Sequence, residues 1–234
     1  MSIKRGLQRL KQTTPRKLDV AAVRGAIPGA ARETDFGTLH LVDEYLEPRH
    51  HHGRAPIADA LEVCTERLAQ LALDPALEAV DFRRALFFDT ETTGLAGGTG
   101  TVPFLIGIAW FEDESFRIQQ LFLPELGREA PMLHWLRERV EQSSCVVSFN
   151  GKTFDWPLLR NRFVMNRVKA PPLPPHLDLL HCARRIFRSR MKSVRLVELE
   201  RRVLGMYRED DISGALIPQL YFDYLDGGEV APMA

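Results

Sequence analysis

An α/β fold, a mixed β-sheet flanked by helices with a small N-terminal extension, is what the sequence predicts, on three observations. Short apolar runs bounded by polar turns recur at 84–89, 103–111, 115–123 and 145–149, the pattern of strands buried in a sheet. The charged turn Glu112-Asp113-Glu114 separates two of these runs closely enough for a hairpin. Beyond the hairpin, helical periodicity alternates with apolar runs, as in a sheet covered by helices.

Taken in order, residues 1–35 read as a basic, flexible arm, because over residues 1–30 Gly and Pro are mixed with Lys4, Arg5, Arg9, Lys11, Arg16, Lys17 and Arg24 against one acid, Asp19. Residues 36–82 form an N-terminal strand/helix segment. Its strand pattern runs from Phe36 to Tyr45, and its helix pattern from Ile57 to about Leu73, stopped by Asp74-Pro75. The main domain spans 83–226 and a short tail covers 227–234. Within the domain, Leu133, Leu136 and Val140 set the helical period of 128–141. Asn150-Gly151 turns the strand at 145–149 into a helix from Phe154 to about Arg167. The break Pro171-Pro172-Leu173-Pro174-Pro175 leads to Leu177-Asp178-Leu179-Leu180 and further helices.

The formal net charge is zero, yet residues 160–208 carry thirteen Lys/Arg against Asp178, Glu198 and Glu200. A basic segment of that kind faces a polyanion or solvent. Cys64, Cys145 and Cys182 have no paired spacing, and reduced thiols in a cytoplasmic protein are expected. The longest apolar stretch, Phe104 to Phe111, is too short to span a bilayer. No membrane partner is expected.

Chemistry concentrates at two strand ends. Asp89-Thr90-Glu91 closes the run Ala85-Leu86-Phe87-Phe88. Side chains two apart along a strand share a face, so Asp89 and Glu91 project together. Two carboxylates on one face repel and lose hydration unless a proton or a hard cation compensates them. The second end is Phe149-Asn150-Gly151-Lys152-Thr153-Phe154-Asp155, which places Asp155 in the first turn of a helix. The helix dipole accounts for an acid there without a metal, as a surface pair accounts for an isolated Asp-x-Glu. Together, three acids at adjacent strand ends favour a divalent cation.

The pattern Phe87-x-Asp89-Thr90-Glu91-Thr92-Thr93-Gly94-Leu95, followed by Phe149-Asn150-Gly151-Lys152-x-Phe154-Asp155, resembles the first two motifs of the DEDD-type 3′-5′ exonucleases of the ribonuclease H-like superfamily. His176-Leu177-Asp178-Leu179-Leu180-His181-Cys182-Ala183-Arg184-Arg185-Ile186-Phe187-Arg188, Leu199-Glu200-x-x-Val203-Leu204-Gly205 and Asp211-Ile212-Ser213-Gly214 resemble its YprB-like branch. The likeness covers roughly residues 36–226. It implies a metal-dependent exonuclease of nucleic acid, DNA before RNA, with a role in DNA repair and a possible helicase partner. It implies that Asp89, Glu91 and Asp155 hold a pair of Mg²⁺ or Mn²⁺ ions. Thr92, Gly94 and Leu95 would contact the terminal nucleotide, and Asn150 and Lys152 would orient the strand end. Arg184, Arg185, Arg188, Arg190 and Lys192 are the expected contacts to the nucleic-acid backbone.

The resemblance also calls for a fourth acid, in a His-Asn-x-x-Asp motif after Tyr224-Leu225, which the sequence to Ala234 does not carry. A shortened chain, a substitute acid or an impaired site would each account for that. Asp178, Asp210, Asp211, Asp223 and Asp226 are the candidate substitutes, with Asp178 reading more readily as the cap of a helix. The alternative function is therefore a catalytically impaired nucleic-acid-binding module, or a subunit acting with a helicase. Gly94 to Thr101 lacks the Gly-Lys-Ser/Thr ending of a phosphate loop. His50-His51-His52 reads as an exposed loop rather than a metal site.

Overall fold

Seven strands form one mixed sheet, with the spatial order β1-β2-β7-β6-β5-β8-β9. The computed structural model describes residues 29–94, 100–113, 115–208 and 214–227. In chain order the sheet strands are β1 (Ala30–Thr34), β2 (Gly37–Leu46), β5 (Ala85–Thr92), β6 (Pro103–Glu112), β7 (Ser115–Phe122), β8 (Cys145–Ser148) and β9 (His176–Asp178). A separate two-stranded ribbon pairs β3 (His51–His52) with β4 (Ala55–Pro56). The α-helices are α1 (Thr65–Ala72), α2 (Ala130–Gln142), α3 (Asp155–Met165), α4 (Leu179–Phe187), α5 (Leu196–Leu199) and α6 (Ile217–Leu225).

The predicted hairpin is β6–β7. Asp113 makes its turn with φ at 57°, a left-handed conformation that a short polar side chain tolerates. β5 pairs antiparallel with β6 and parallel with β8, and β8 pairs parallel with β9. The chain therefore crosses over through α2 between β7 and β8, and through α3 between β8 and β9.

Strand alternation sorts the core into two layers. Leu86 and Phe88 of β5 and Val146 of β8 join Leu133, Leu136, Trp156, Leu159, Phe163 and Tyr221, from α2, α3 and α6. Ala85, Cys145 and Val147, from the intervening positions, join Ala69, Leu77, Phe82 and Cys182, with Phe87 packed against them. That second layer lies with α1 and α4. Helices on both faces are what these near-continuous apolar strands require. α6 is fastened by Tyr221, which stacks on Phe104 with ring centroids 4.1 Å apart and donates its hydroxyl to the Leu123 carbonyl at 2.9 Å.

Three local expectations need correction. The arm assigned to residues 1–35 lies outside the described residues as far as 28, but Ala30–Thr34 is a strand paired with β2 from Ala30↔Leu41 to Thr34↔Gly37. Its mostly exposed positions gave no apolar signal, and the backbone ladder defines it. The single helix expected from Ile57 to Leu73 is a 3₁₀ run, Ile57–Glu62, then α1, with Val63 and Cys64 extended between them. Six residues is already long for 3₁₀ geometry, which does not propagate well. β9, three residues long, was hidden after the proline-rich break because so short a strand shows no periodicity.

Candidate active site

β5 and β8 run parallel, so their C-terminal ends meet at one edge of the sheet. In open α/β sheets that edge is where ligands bind. Asp89 and Glu91 lie at the end of β5, and Asp155 opens α3 just beyond β8. The turn between β8 and α3 depends on two residues. Asn150 takes φ of 73°. A Cβ at Gly151 would strike Ser148 Oγ and come within 3.2 Å of Asp155 Oδ2, so only glycine lets the backbone pass that close to the acid.

Asp178 holds the same turn from below. It is 2% exposed, and its carboxylate accepts from the backbone N–H groups of Asn150 (2.8 Å), Lys152 (3.2 Å) and Leu180 (3.0 Å). It is thus the N-cap of α4 and a brace for the β8–α3 turn, and its oxygens are committed to backbone. Beside it, Ser148 Oγ and His176 Nε2 are hydrogen-bonded at 2.7 Å, both buried. Burial pushes the His176 ring down to about 4, so it is neutral at physiological pH. Its Nδ1 has no partner among the described residues.

The three acids share the edge but do not form one cluster. By the two-residue period, Asp89 and Glu91 continue the Ala85–Phe87 face of β5, while Thr90 continues the Leu86–Phe88 face. It is Thr90 whose hydroxyl donates to Asp155 Oδ1. Among the described residues no three His, Cys, Asp or Glu side chains have the spacing to hold a metal ion. Uncompensated carboxylates repel, and the Thr90 bond holds Asp155 on its own side.

Their electrostatics are coupled nonetheless. Protein crowds the carboxyl of Asp89 although the residue as a whole is exposed. This desolvation, and then the charge of Asp155, pushes it up to about 6. Glu91 is pushed up to about 7 by burial, then by Asp89 and Asp155. Burial raises Asp155 as well, against the lowering effect of the Thr90 bond. Arg208 partly offsets the charge on Asp89. Its guanidinium is bound at 2.7 and 2.9 Å by the two oxygens of Glu200, a buried acid in the π-turn Glu200–Leu204.

These shifts fix a pH dependence. A folded-state acid with a raised pKa binds its proton more tightly than the unfolded chain does, so stability falls as pH rises through that interval. Metal-free Glu91→Gln is therefore expected to be more stable than the unmutated chain above pH about 7, by about 1–2 kcal/mol once solvent screening is allowed for. The difference should vanish below the ordinary glutamate value of 4.5. Urea denaturation in chelator across that range measures it; equal stabilities above pH 7 would refute the coupling.

A cleft of about 330 Å³ opens beside Asp155, lined by Thr90, Thr92, Gly94, Asn150 and Phe154 among others. Phe154 is 59% exposed, an aromatic face offered to solvent next to the acids. Thr92 Oγ1 donates to the Gly94 carbonyl at 2.9 Å. Leu95 lies outside the described residues. Lys152 points elsewhere: its ammonium pairs with Asp74 at 3.7 Å. Sequence reasoning did not single out Thr90, Phe154, Arg208 or the Ser148–His176 pair as site residues. Thr90 and Phe154 sit inside the quoted motifs and were within reach. The others are pairings across distant segments that no local pattern signals.

The basic segment is divided by the structure. Arg184, Arg188 and Lys192 line a separate hollow, whereas Arg185 donates to the Leu71 carbonyl. Of the candidate substitute acids, Asp223 accepts from Gln219 at 2.8 Å on α6, and Asp210 and Asp211 lie outside the described residues.

A central strand flanked by antiparallel neighbours on one side and parallel ones on the other, with acids at its end, defines a ribonuclease H-like α/β domain. The chain belongs to the RNase_H superfamily, whose sequence model matches residues 86–234. It is 38% identical over 184 residues, 77% of its length, to the Uncharacterized protein YprB of Bacillus subtilis (strain 168). The chain spans 44% of that relative's length. Among the described residues no helix is long and apolar enough to cross a membrane.

Proposed function

We propose that this chain is a metal-dependent nuclease that hydrolyses phosphodiester bonds, acting as a 3′-5′ exonuclease on DNA. The observation that carries the reading is that Asp89 and Glu91 near the end of β5 and Asp155 at the start of α3 lie at one edge of the sheet, their carboxyls raised chiefly by burial, beside a cleft that offers an exposed aromatic ring. Three carboxylates are the oxygen donor set that Mg²⁺ or Mn²⁺ takes, and their mutual repulsion is relieved by such a charge. When bound, divalent ions there would supply a more acidic water and a stabilised leaving oxygen. The chain's own residues do the rest. Thr90 holds Asp155, the Asn150-Gly151 turn gives the strand end close access to that acid, and Phe154 provides a stacking face for a base. The preference for DNA, the direction of digestion, a role in repair and a helicase partner rest on the family resemblance.

The test is cleavage of 5′-labelled single- and double-stranded DNA with Mn²⁺, comparing the chain with Asp89→Ala. A metal-dependent ladder given only by the unmutated chain supports the reading. No cleavage by a folded chain that still binds DNA supports the second reading, a nucleic-acid-binding module. That second reading is favoured by one observation: among the described residues the acids lack metal-holding spacing.

A further inference from the structure

A small cavity of about 180 Å³ opens at the start of β5, the end of that strand opposite the acids. Arg83 and Arg84 line it from the 3₁₀ run Phe82–Arg84 that leads into β5. Arg139, Gln142 and Ser143 line it from the C-terminal end of α2, and Trp110 lines it from β6. A strand rise of roughly 3.3 Å per residue puts Glu91 about 23 Å along β5 from Arg84. The cavity is therefore no part of the candidate active site. Among the described residues no carboxylate lines it.

Its three guanidiniums are not neutralised by the protein. None of them makes an ion pair among the described residues. Arg84 donates one N–H to the Gln142 carbonyl at 2.8 Å, which covers the negative end of the α2 dipole. Arg139 is half-buried, its guanidinium over the ring of Trp110 at 4.4 Å and over that of Trp135 at 5.2 Å. Trp135 is fixed in turn, because its ring N–H donates to the buried Gln119 side chain at 2.9 Å. Stacking on aromatic rings sets the plane of a guanidinium and leaves its N–H edge for an oxygen ligand. That edge has only a long contact, 3.4 Å, to Gln142 Oε1. The acids that bear on Arg139 (Glu112, Glu138 and Asp43) stand beyond ion-pair distance, and Arg117 holds two of them, Asp43 and Glu112. Burial, then the charge of Arg117, lowers the Arg139 pKa. A negative charge in the cavity would relieve both.

Size and oxygen geometry narrow the anion. The cavity falls below the roughly 300 Å³ at which sites for drug-sized ligands begin, so it accommodates a single group and not a whole nucleotide. A carboxylate presents its two oxygens in one plane, whereas a phosphate presents oxygens on every side. Guanidiniums reaching one point from two separate elements suit the second. We propose that the Arg83–Arg84–Arg139 cavity binds a phosphate group, either free phosphate or the terminal group of a small monoester. The site stands independently of the nuclease reading and takes no part in bond cleavage. An anion there bridges the start of β5 and the end of α2, so it stabilises the folded chain by mass action.

The experiment titrates the full chain with inorganic phosphate, in chelator and at constant ionic strength, by calorimetry and by tryptophan fluorescence. Trp110 lines the cavity, so one saturable site with a fluorescence change is expected, together with a raised Tm. Arg139→Gln should abolish binding, but it also removes packing against two tryptophans. The deciding variant is therefore Arg83→Gln, exposed and without a side-chain partner among the described residues. It should fold normally and weaken binding about 10-fold or more. Arg160→Gln, an equal loss of charge at an exposed position of α3, should bind like the unmutated chain. Glycerol phosphate binding as tightly as inorganic phosphate assigns the site to a monoester, and inorganic phosphate binding alone assigns it to the free ion. No saturable binding at millimolar phosphate would overturn the proposal, as would equal affinity in Arg83→Gln and the unmutated chain. A DNA oligonucleotide that loses as much affinity as phosphate does in Arg83→Gln would also overturn it, because the cavity would then belong to a nucleic-acid surface.

Discussion

Asp155→Asn is expected to lower metal-dependent cleavage on the order of 10³-fold while leaving the fold intact. The side chain of Asn has the same shape, and its carbonyl oxygen accepts the Thr90 hydroxyl that Asp155 Oδ1 accepts now. What it loses is charge. In the metal-free protein that loss is mildly favourable, since burial already holds the Asp155 carboxyl above its ordinary range. On the proposed nuclease reading it removes one of the three carboxylates that would hold the ions, and with it the neutralisation those ions would need while phosphate charge develops. Stability and activity should therefore move in opposite directions. Thermal unfolding in chelator should show Asp155→Asn at or above the unmutated chain, and single-turnover cleavage with Mn²⁺ should show the loss. An unfolded variant would leave the activity loss uninformative about metal, and Asp155→Glu then serves: it keeps the charge and misplaces it, so it should bind metal and cleave poorly. Activity retained by Asp155→Asn would remove this residue from the site.

Legibility in the sequence followed the range of the interactions. The strands β5 to β8 and the helices α2 and α3 were readable because each carries its own period, and the hairpin because Glu112-Asp113-Glu114 is a local turn signal. The positions of Asp89 and Glu91 near the end of β5 and of Asp155 in the first turn of α3 were readable because each sits inside a short motif. What escaped depended on register and on partners far along the chain. That Thr90 meets Asp155 follows from which face of β5 looks toward α3, and the alternation of core residues fixes it only once the layers are assembled. The Glu200–Arg208 pair and the Ser148–His176 bond join segments that no window contains together. Composition misled at Ala30–Thr34, where an edge strand is made by backbone pairing with little apolar burial. The basic segment was visible as charge, but which of its members are free to bind an anion is a matter of their neighbours.

Glu129→Ala is expected to destabilise the chain by about 3–5 kcal/mol, the largest stability effect of any single substitution argued from this structure. Glu129 precedes α2 and is 2% exposed; Arg162 lies on α3 and is 7% exposed. The Arg162 Nε donates to Glu129 Oε2 at 2.6 Å, the Nη2 donates to Oε1, and Asn166 Nδ2 adds a third bond at 3.2 Å. Removing the carboxylate takes the bidentate acceptor away from a buried guanidinium between the two helices, and the cost is that of desolvated charge losing Glu129 as its counter-ion. The pair itself need not be worth so much, since bringing both ions out of water offsets most of their attraction. Glu129→Met/Arg162→Met should accordingly recover much of the loss, by filling similar volume with apolar atoms. Urea denaturation of both variants measures the difference, and a double variant as unstable as the single one would contradict it. The same pair explains why such costly chemistry is retained here. α3 carries Asp155 in its first turn, and a bidentate lock with fixed geometry sets the position of that helix against α2 more narrowly than apolar contacts do. The double variant should therefore keep its stability and lose part of its cleavage rate, a split that a purely structural pair would not produce.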